Sequence, residues 1–296
     1  MFCAQTEAAL ARFQTERGLR PTAVCDEHTW TALVEASWRR GDRLLKLMAP
    51  NLRGDDVAAL QEALARLGFD PGRADGILGP ATARALEDFQ HNYGLYVDGV
   101  CGPDTLRALD LVSRQTGSGP GVSMVRELAT LTGSARALAD LRIVVGQFGG
   151  LSGLARQLVQ SLRQRSATVV ASDEPDAVAQ ASAANRFAAN VYVGFESQPG
   201  DSSSVHYFAV PQFESAGGRL LAELFADHAR RRLDEFSPAV AGMRLPVLRE
   251  TRMPAVLVAL GSVQSALDRA PELVECVVGA LEEWVACPIR DEFPER

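Results

Sequence analysis

The side chains able to do acid–base, metal or nucleophilic chemistry are few in the second half of this chain and widely spaced. Glu196 follows an apolar run as a lone carboxylate, and neither His206 nor His228 has a ligand-type partner three or four residues away. Cys276 and Cys287 lack a histidine nearby in sequence, so a nucleophilic thiolate is unsupported. These spacings favour a solvated loop carboxylate and structural histidines over a catalytic centre.

Two motifs that mark hydrolases and nucleotide enzymes do not occur in the sequence: Gly-x-Ser-x-Gly and a phosphate-cradling Gly-Lys-Ser/Thr loop. A glycine-rich segment at 149–153 does open a helical pattern. The first backbone N–H groups of a helix can hold an anion, so a small anion is the ligand that this segment would accept in principle.

The elements that must position these residues alternate between strand and helix. Predicted strands cover 141–145, 168–171, 191–195, 205–210 and 255–260, and predicted helices cover 154–162, 177–189, 220–233 and 271–285. This alternation predicts an α/β sandwich in which helices cover both faces of a largely parallel sheet.

The segment 253–261 says most about the chemistry of this sheet. Its run of Ala, Val and Leu begins after Pro254 and ends at Gly261, which is typical of a buried strand. Together with 245–252 it resembles the last core strand of the zinc-dependent N-acetylmuramoyl-L-alanine amidases of the amidase_3 type. In that family the strand carries a catalytic glutamate, and the matching residue here is Ala259. Because a methyl group cannot transfer a proton, the resemblance implies that the acid/base is missing.

The resemblance covers the whole of a predicted domain at 138–290. The family binds zinc through a histidine after the first strand, a glutamate at the start of the next helix and a histidine after a later strand, which leaves room for an activated water. Phe148 stands at the first histidine, the glutamate and its loop are lost beside Ser152, and Glu196 stands at the second histidine. One carboxylate does not make a zinc site. The resemblance therefore implies degenerate catalytic positions, no bound metal and a glycine-rich segment that is a shortened loop.

The first third of the chain contains a duplicated unit. A shift of 76 positions carries residues 6–33 onto 82–109 without a gap. Identical residues recur along this register, among them Phe-Gln at 13–14 and 89–90, Gly-Leu at 18–19 and 94–95, and Ala-Leu at 32–33 and 108–109. So many matches in one register predict an internal repeat.

The second copy carries a recognisable motif order: Leu-Gly-Phe, Asp-Gly, Gly-Pro-x-Thr, Phe-Gln, Gly-Leu, and again Asp-Gly and Gly-Pro-x-Thr. This order resembles the peptidoglycan-binding domain 1 family, a three-helix module. We expect a complete module at 42–114 and a partial, all-α repeat at 1–38, which either packs on the complete one or belongs to a chain that begins upstream. The candidate binding residues are those of the two tight turns: Asp75, Gly76, Asp98 and Gly99.

Composition bounds the partners and the compartment. A net charge of −7 gives no global attraction to nucleic acid or to an anionic membrane. No apolar run is long enough to span a bilayer, and no secretory signal is visible. Five cysteines without a CxxC pair fit a reducing compartment. We expect a cytoplasmic protein whose units are joined by a linker at 115–137.

The combination of repeats, amidase-like domain and absent leader resembles the actinobacterial CwlM-type proteins. The resemblance implies a cytoplasmic pseudo-amidase that binds and controls a peptidoglycan-precursor enzyme, the UDP-N-acetylglucosamine enolpyruvyl transferase. Two alternatives remain open. One is a zinc-dependent amidase of peptidoglycan turnover with a displaced site, and the other is a sensor whose repeats bind muropeptides or other peptidoglycan fragments.

Overall fold

The chain divides into two compact units. The computed structural model describes residues 3–113, 127, 137–200, 202–211, 213–233 and 236–286. The first unit comprises Met1–Arg126 with Val210–Phe213, and the second comprises Glu127–Ala209 with Glu214–Arg296. The predicted linker at 115–137 lies almost wholly outside the described residues, as do Cys287 and the rest of 287–290. The predicted domain limits stay predictions.

The first unit is helical, as the repeat motifs predict. Its helices are α1 (Ala4–Glu16), α2 (Glu27–Ser37), α3 (Asp55–Arg66), α4 (Pro80–Asn92) and α5 (Pro103–Ser113). The shift of 76 residues carries α1 onto α4 and α2 onto α5 with identical ends. In the complete repeat, apolar residues spaced along α3, α4 and α5 are fully buried against one another, among them Leu60, Leu64, Leu86, Phe89 and Leu109.

The partial repeat packs on the complete one. The Arg17 guanidinium binds the Asp55 carboxylate at 2.7 and 2.8 Å, at the first residue of α3. The segment that joins the repeats is held at the same helix end, where Arg43 donates to the buried Asp56 carboxylate at 2.7 and 3.0 Å. The Arg43 guanidinium also lies 4.2 Å from the centre of the Trp38 ring. Two ion pairs thus tie the first copy and its connection to α3.

The second unit alternates strands and helices around one sheet. A short 3₁₀ turn, Leu138–Asp140, leads into the domain. The strands are β1 (Arg142–Phe148), β2 (Thr168–Ser172), β3 (Val191–Ser197), β4 (Ser204–Val210), β5 (Phe213–Glu214), β6 (Ala239–Met243) and β7 (Ala255–Leu260). The helices are α6 (Ser152–Gln164), α7 (Ala177–Arg186), α8 (Ala216–Arg232), α9 (Pro246–Glu250), α10 (Val263–Asp268) and α11 (Ala270–Ala286).

The sheet is mixed rather than wholly parallel. The strand order is β2-β1-β3-β7-β4-β5, with β6 also paired to β4. Strands β2, β1, β3 and β7 are parallel, whereas β4 runs antiparallel to β7. The reversal has a simple cause: six residues, 198–203, separate β3 from β4, and a parallel crossover needs about a dozen or more.

The two faces of the sheet are covered differently. The large apolar core lies between one face and the helices α6, α8 and α11. On the other face α7 lies over Gly146 and packs against α9. Strand β7 is buried along its whole length, as its apolar sequence predicts. No helix of the described ranges is long and apolar enough to cross a membrane.

Candidate functional site

Three of the four degenerate site positions lie side by side at the carboxyl edge of the sheet. Phe148 pairs with Glu196 across β1 and β3, and Glu196 pairs with Ala259 across β3 and β7. Residues in register on neighbouring strands project to the same face, so their side chains form one row. The structure therefore brings together the positions that the sequence resemblance assigns to two zinc ligands and the acid/base.

The fourth position, Ser152, is the first residue of α6 and follows a loop of three residues, 149–151. Gly149 and Gly150 have φ values of +78° and +90°, a conformation that lets the chain turn into the helix within this short loop. The Ser197 hydroxyl donates to the Gly149 carbonyl at 2.9 Å and holds the loop down. A side chain at Gly149 would collide with that hydroxyl. The loop is thus short, is held in place by the Ser197 hydrogen bond, and contains no carboxylate side chain.

A tyrosine fills the sheet surface directly below the row. Gly146 and Gly194 precede Phe148 and Glu196 by two residues, and a Cβ atom at Gly194 would lie 2.9 Å from the Tyr192 ring. The Tyr192 hydroxyl donates to the Gln180 side-chain carbonyl, and both side chains are 0% exposed. Burial, with the Glu196 charge in second place, raises the pKa of Tyr192, so the phenol stays neutral.

Strand β4 borders the row on its other side. Ser204 pairs with Ala259, and the Ser204 hydroxyl lies 2.9 Å from Nε2 of the buried His206. Ala259 is 0% exposed. Its methyl group stands between the Glu196 carboxylate on one side and the Ser204–His206 pair on the other. With strands about 4.8 Å apart, the backbones of Glu196 and Ser204 are about 10 Å apart.

The remaining candidate side chains lie elsewhere. On α8, the Nε2 atom of His228 is 3.2 Å from the Glu283 carboxylate, and the imidazole packs over Gly279. Cys276 is fully buried in α11, and burial raises the pKa of its thiol to about 11. A protonated, enclosed thiol is a poor nucleophile, in agreement with its isolation in the sequence.

The residues of the row do not fit zinc. A catalytic zinc site takes three protein ligands from His, Cys, Asp or Glu and keeps a fourth position for water. Phe148 and Ala259 offer no donor atom, which leaves Glu196 as the one ionisable ligand of the row. Across the described part of the chain, no three or more such side chains are grouped closely enough to hold a metal ion.

The predicted binding residues of the repeat serve a structural role in the turns. The buried Gln61 amide donates to the Asp75 carboxylate at 3.2 Å and to the Thr82 hydroxyl at 3.1 Å. Its carbonyl oxygen accepts the Gly76 N–H at 2.8 Å. One glutamine therefore ties a turn to the start of the next helix, where the Gly-Pro-x-Thr motif lies.

The same arrangement, which we call the glutamine clamp, recurs twice more: Gln90 at the end of α4 binds the turn before α5, and Gln14 at the end of α1 binds the turn before α2. Gln90 donates to the Asp98 carboxylate at 2.8 Å and accepts the Gly99 N–H at 2.9 Å. Gln14 accepts the Ala23 N–H at 2.8 Å, and it donates to the Thr29 hydroxyl at 2.9 Å. Ligand binding by the four turn residues stays a prediction. The clamp was missed at the sequence level, although each of the three glutamines follows a Phe or Leu.

The chain is similar to one family of known domains and to several amidases. The family described as "Putative peptidoglycan binding domain" matches residues 1–33 and 53–109. N-acetylmuramoyl-L-alanine amidase CwlM of Mycobacterium tuberculosis is 33% identical over 322 residues, which cover 98% of this chain and 79% of that protein. N-acetylmuramoyl-L-alanine amidase CwlA of Bacillus subtilis is 38% identical over 76 residues, 24% of this chain and 28% of that protein. The solved structure of N-acetylmuramoyl-L-alanine amidase AmiC2 of Nostoc punctiforme has 16% identity and a TM-score of 0.41, over 52% of this chain and 99% of that one.

Peptidoglycan-binding-type repeats followed by an α/β unit with a mixed sheet define a peptidoglycan-related, amidase-like protein. The match to CwlM covers nearly the whole chain, and about a third of the aligned residues are identical. The chain belongs to the CwlM family.

Proposed function

We propose that this protein is a catalytically inactive, amidase-like regulator of peptidoglycan biosynthesis that acts in the cytoplasm by binding. The observation that carries the proposal is the row at the carboxyl edge of the sheet. Its acid/base position is Ala259, whose methyl group is 0% exposed, and a ligand position is the apolar Phe148. Metal-assisted amide hydrolysis needs a Lewis acid and a base within reach of a water molecule. Ala259 cannot act as that base, and Phe148 cannot help to hold the metal that would be the Lewis acid.

The surrounding packing supports a site adapted to another use. Tyr192 and Gln180 fill the sheet surface below the row, and Ser197 pins the shortened loop beside it. Meanwhile the strand that carries Ala259 keeps every residue buried. A domain that keeps its core while the surroundings of its site are occupied by internal hydrogen bonds is expected to act through its surface.

The partner that the family resemblance implies is a cytoplasmic enzyme of precursor synthesis, the UDP-N-acetylglucosamine enolpyruvyl transferase. Binding to such an enzyme requires neither metal nor export, which suits a chain whose site residues do not fit zinc. A second candidate is a muropeptide sensor, favoured by the family match over residues 1–33 and 53–109.

Calorimetry with the full chain separates these functions. We expect heat of binding on titration with the purified transferase, none with soluble muropeptide, and none with serum albumin as an unrelated acidic protein. If the chain bound muropeptide but not the transferase, the result would support the sensor function and reject the regulator function. Absence of binding to the transferase would reject the proposed partner.

A further inference from the structure

The shift of 76 residues gives each position of α4, of α5 and of the segment between them an equivalent in the first repeat. The apolar side chains exposed to solvent in this part of the second repeat include Tyr93 at 43%, Tyr96 at 85% and Leu111 at 67%. Their equivalents in the first repeat are all charged: Arg17, Arg20 and Glu35. We call Tyr93, Tyr96 and Leu111 the tyrosine surface. At three equivalent positions, the first repeat thus has charged residues and the second repeat has large apolar residues that are exposed to solvent.

In the first repeat this face forms an interface. Arg17 makes a two-pronged ion pair with Asp55 at the start of α3. Glu35 on α2 is only 3% exposed, and α2 packs against α3. In the first repeat Arg17 therefore holds the N-terminal end of α3 through its charge, and the buried Glu35 lies on the helix that packs against α3.

In the second repeat the equivalent side chains stand on defined helix ends and a hydrogen-bonded turn. Tyr93 directly follows α4, and its ring packs on Phe89 with ring centres 4.5 Å apart. Tyr96 lies in the turn that Gln90 clamps, and Leu111 lies in the last turn of α5. Rigid, exposed aromatic side chains lose little conformational entropy on binding and are common anchors of protein interfaces.

We propose that the tyrosine surface docks an amphipathic helix of the protein partner, in the way that the first repeat docks α3. The inference rests on the proposed function, because it places the partner-binding surface of that regulator on the second repeat. A helix is the occupant because the equivalent face already holds one. The change from Arg and Glu to Tyr and Leu calls for a helix that presents apolar side chains at spacings of three and four residues.

The test exchanges the second-repeat residues for those of the first. The double variant Tyr96→Arg with Leu111→Glu leaves the net charge unchanged and alters only exposed side chains. A matched control, Val178→Arg with Leu267→Glu, makes the same exchange at positions 43% and 36% exposed in the other unit. Far-UV circular dichroism and the thermal midpoint check that both variants fold like the parent chain.

Binding to the enolpyruvyl transferase and to muropeptide is then measured by calorimetry. We expect at least a tenfold rise in Kd for the transferase with the double variant and less than a twofold change with the control. An unchanged Kd in the double variant would overturn the docking surface while the regulator proposal stands. If the parent chain does not bind the transferase, the proposed partner is rejected and the docking surface is rejected with it. If the double variant lost muropeptide binding but still bound the transferase, the tyrosine surface would be a saccharide-binding site. The proposal that it docks a helix would then be wrong.

Discussion

Replacing Ala259 by glutamate introduces the residue type that the family resemblance assigns to this position, yet the structure predicts damage rather than activity. Ala259 is 0% exposed and lies in register between Glu196 and Ser204. Forcing a larger side chain into a packed site costs about 1–3 kcal/mol. A buried carboxylate whose pKa rises by about 3 units adds about 4 kcal/mol at neutral pH. Together these terms rival the stability of a typical domain.

The charge contribution has a definite sign with pH. Burial and the neighbouring Glu196 both raise the folded-state pKa of the new carboxyl above its unfolded value of about 4.3. The charge-dependent cost is therefore absent below about pH 4 and grows as the pH rises towards the folded-state pKa. Ala259→Gln is the matched control, because it has the same shape without the charge.

Urea denaturation of both variants from pH 5 to pH 9 measures this difference directly. We expect Ala259→Glu to be less stable than Ala259→Gln by a margin that widens with pH to about 4 kcal/mol. Neither variant should release stem peptide from muropeptide. A glutamate variant as stable as the parent chain at pH 8 would show that the position is open to water, and the reasoning about a closed site would be wrong.

Three further predictions concern the repeats. Gln90→Ala should lower the free energy of unfolding by about 2–4 kcal/mol, because it leaves buried partners unpaired; chemical denaturation that shows no change would reject the clamp. Ala23 has a φ of +55° where the other turns have glycine, so Ala23→Gly should raise the thermal midpoint, whereas Gly99→Ala should lower it by the equivalent of about 1 kcal/mol. The Val100 N–H and then the Gln90 amide lower the pKa of Asp98. The stability that this adds is present above about pH 4 and is lost as the pH falls through the folded-state pKa, so Asp98→Asn should flatten the acid limb of a stability–pH curve.

The sequence was most informative where local chemistry decides structure. Helix ends in the repeats coincide under the shift of 76 residues, because the turn residues and Gly-Pro-x-Thr starts that define them recur in the same register. The buried strand β7 follows from its apolar run between Pro254 and Gly261. Both features depend on neighbours in the chain, which one sequence displays.

Features set by contacts between distant segments were missed. The short edge strands β5 and β6 carry too little pattern to be predicted, and the direction of β4 follows from a connection length rather than from composition. The Tyr192 ring can pack on the sheet surface because Gly146 and Gly194 have no side chains there. These two glycines become neighbours only when β1 and β3 pair. The row of Phe148, Glu196 and Ala259 was predicted as a set of positions through the family resemblance, whereas the burial of Ala259 came from the structure.

The central claim, that this amidase-like domain does not hydrolyse its family's substrate, is tested most directly on the purified full chain. Zinc is added, excess metal is removed, bound zinc is measured by mass spectrometry, and release of stem peptide from muropeptide is followed by chromatography in the same sample. We expect zinc far below one equivalent and no released peptide. One equivalent of zinc together with peptide release would contradict it.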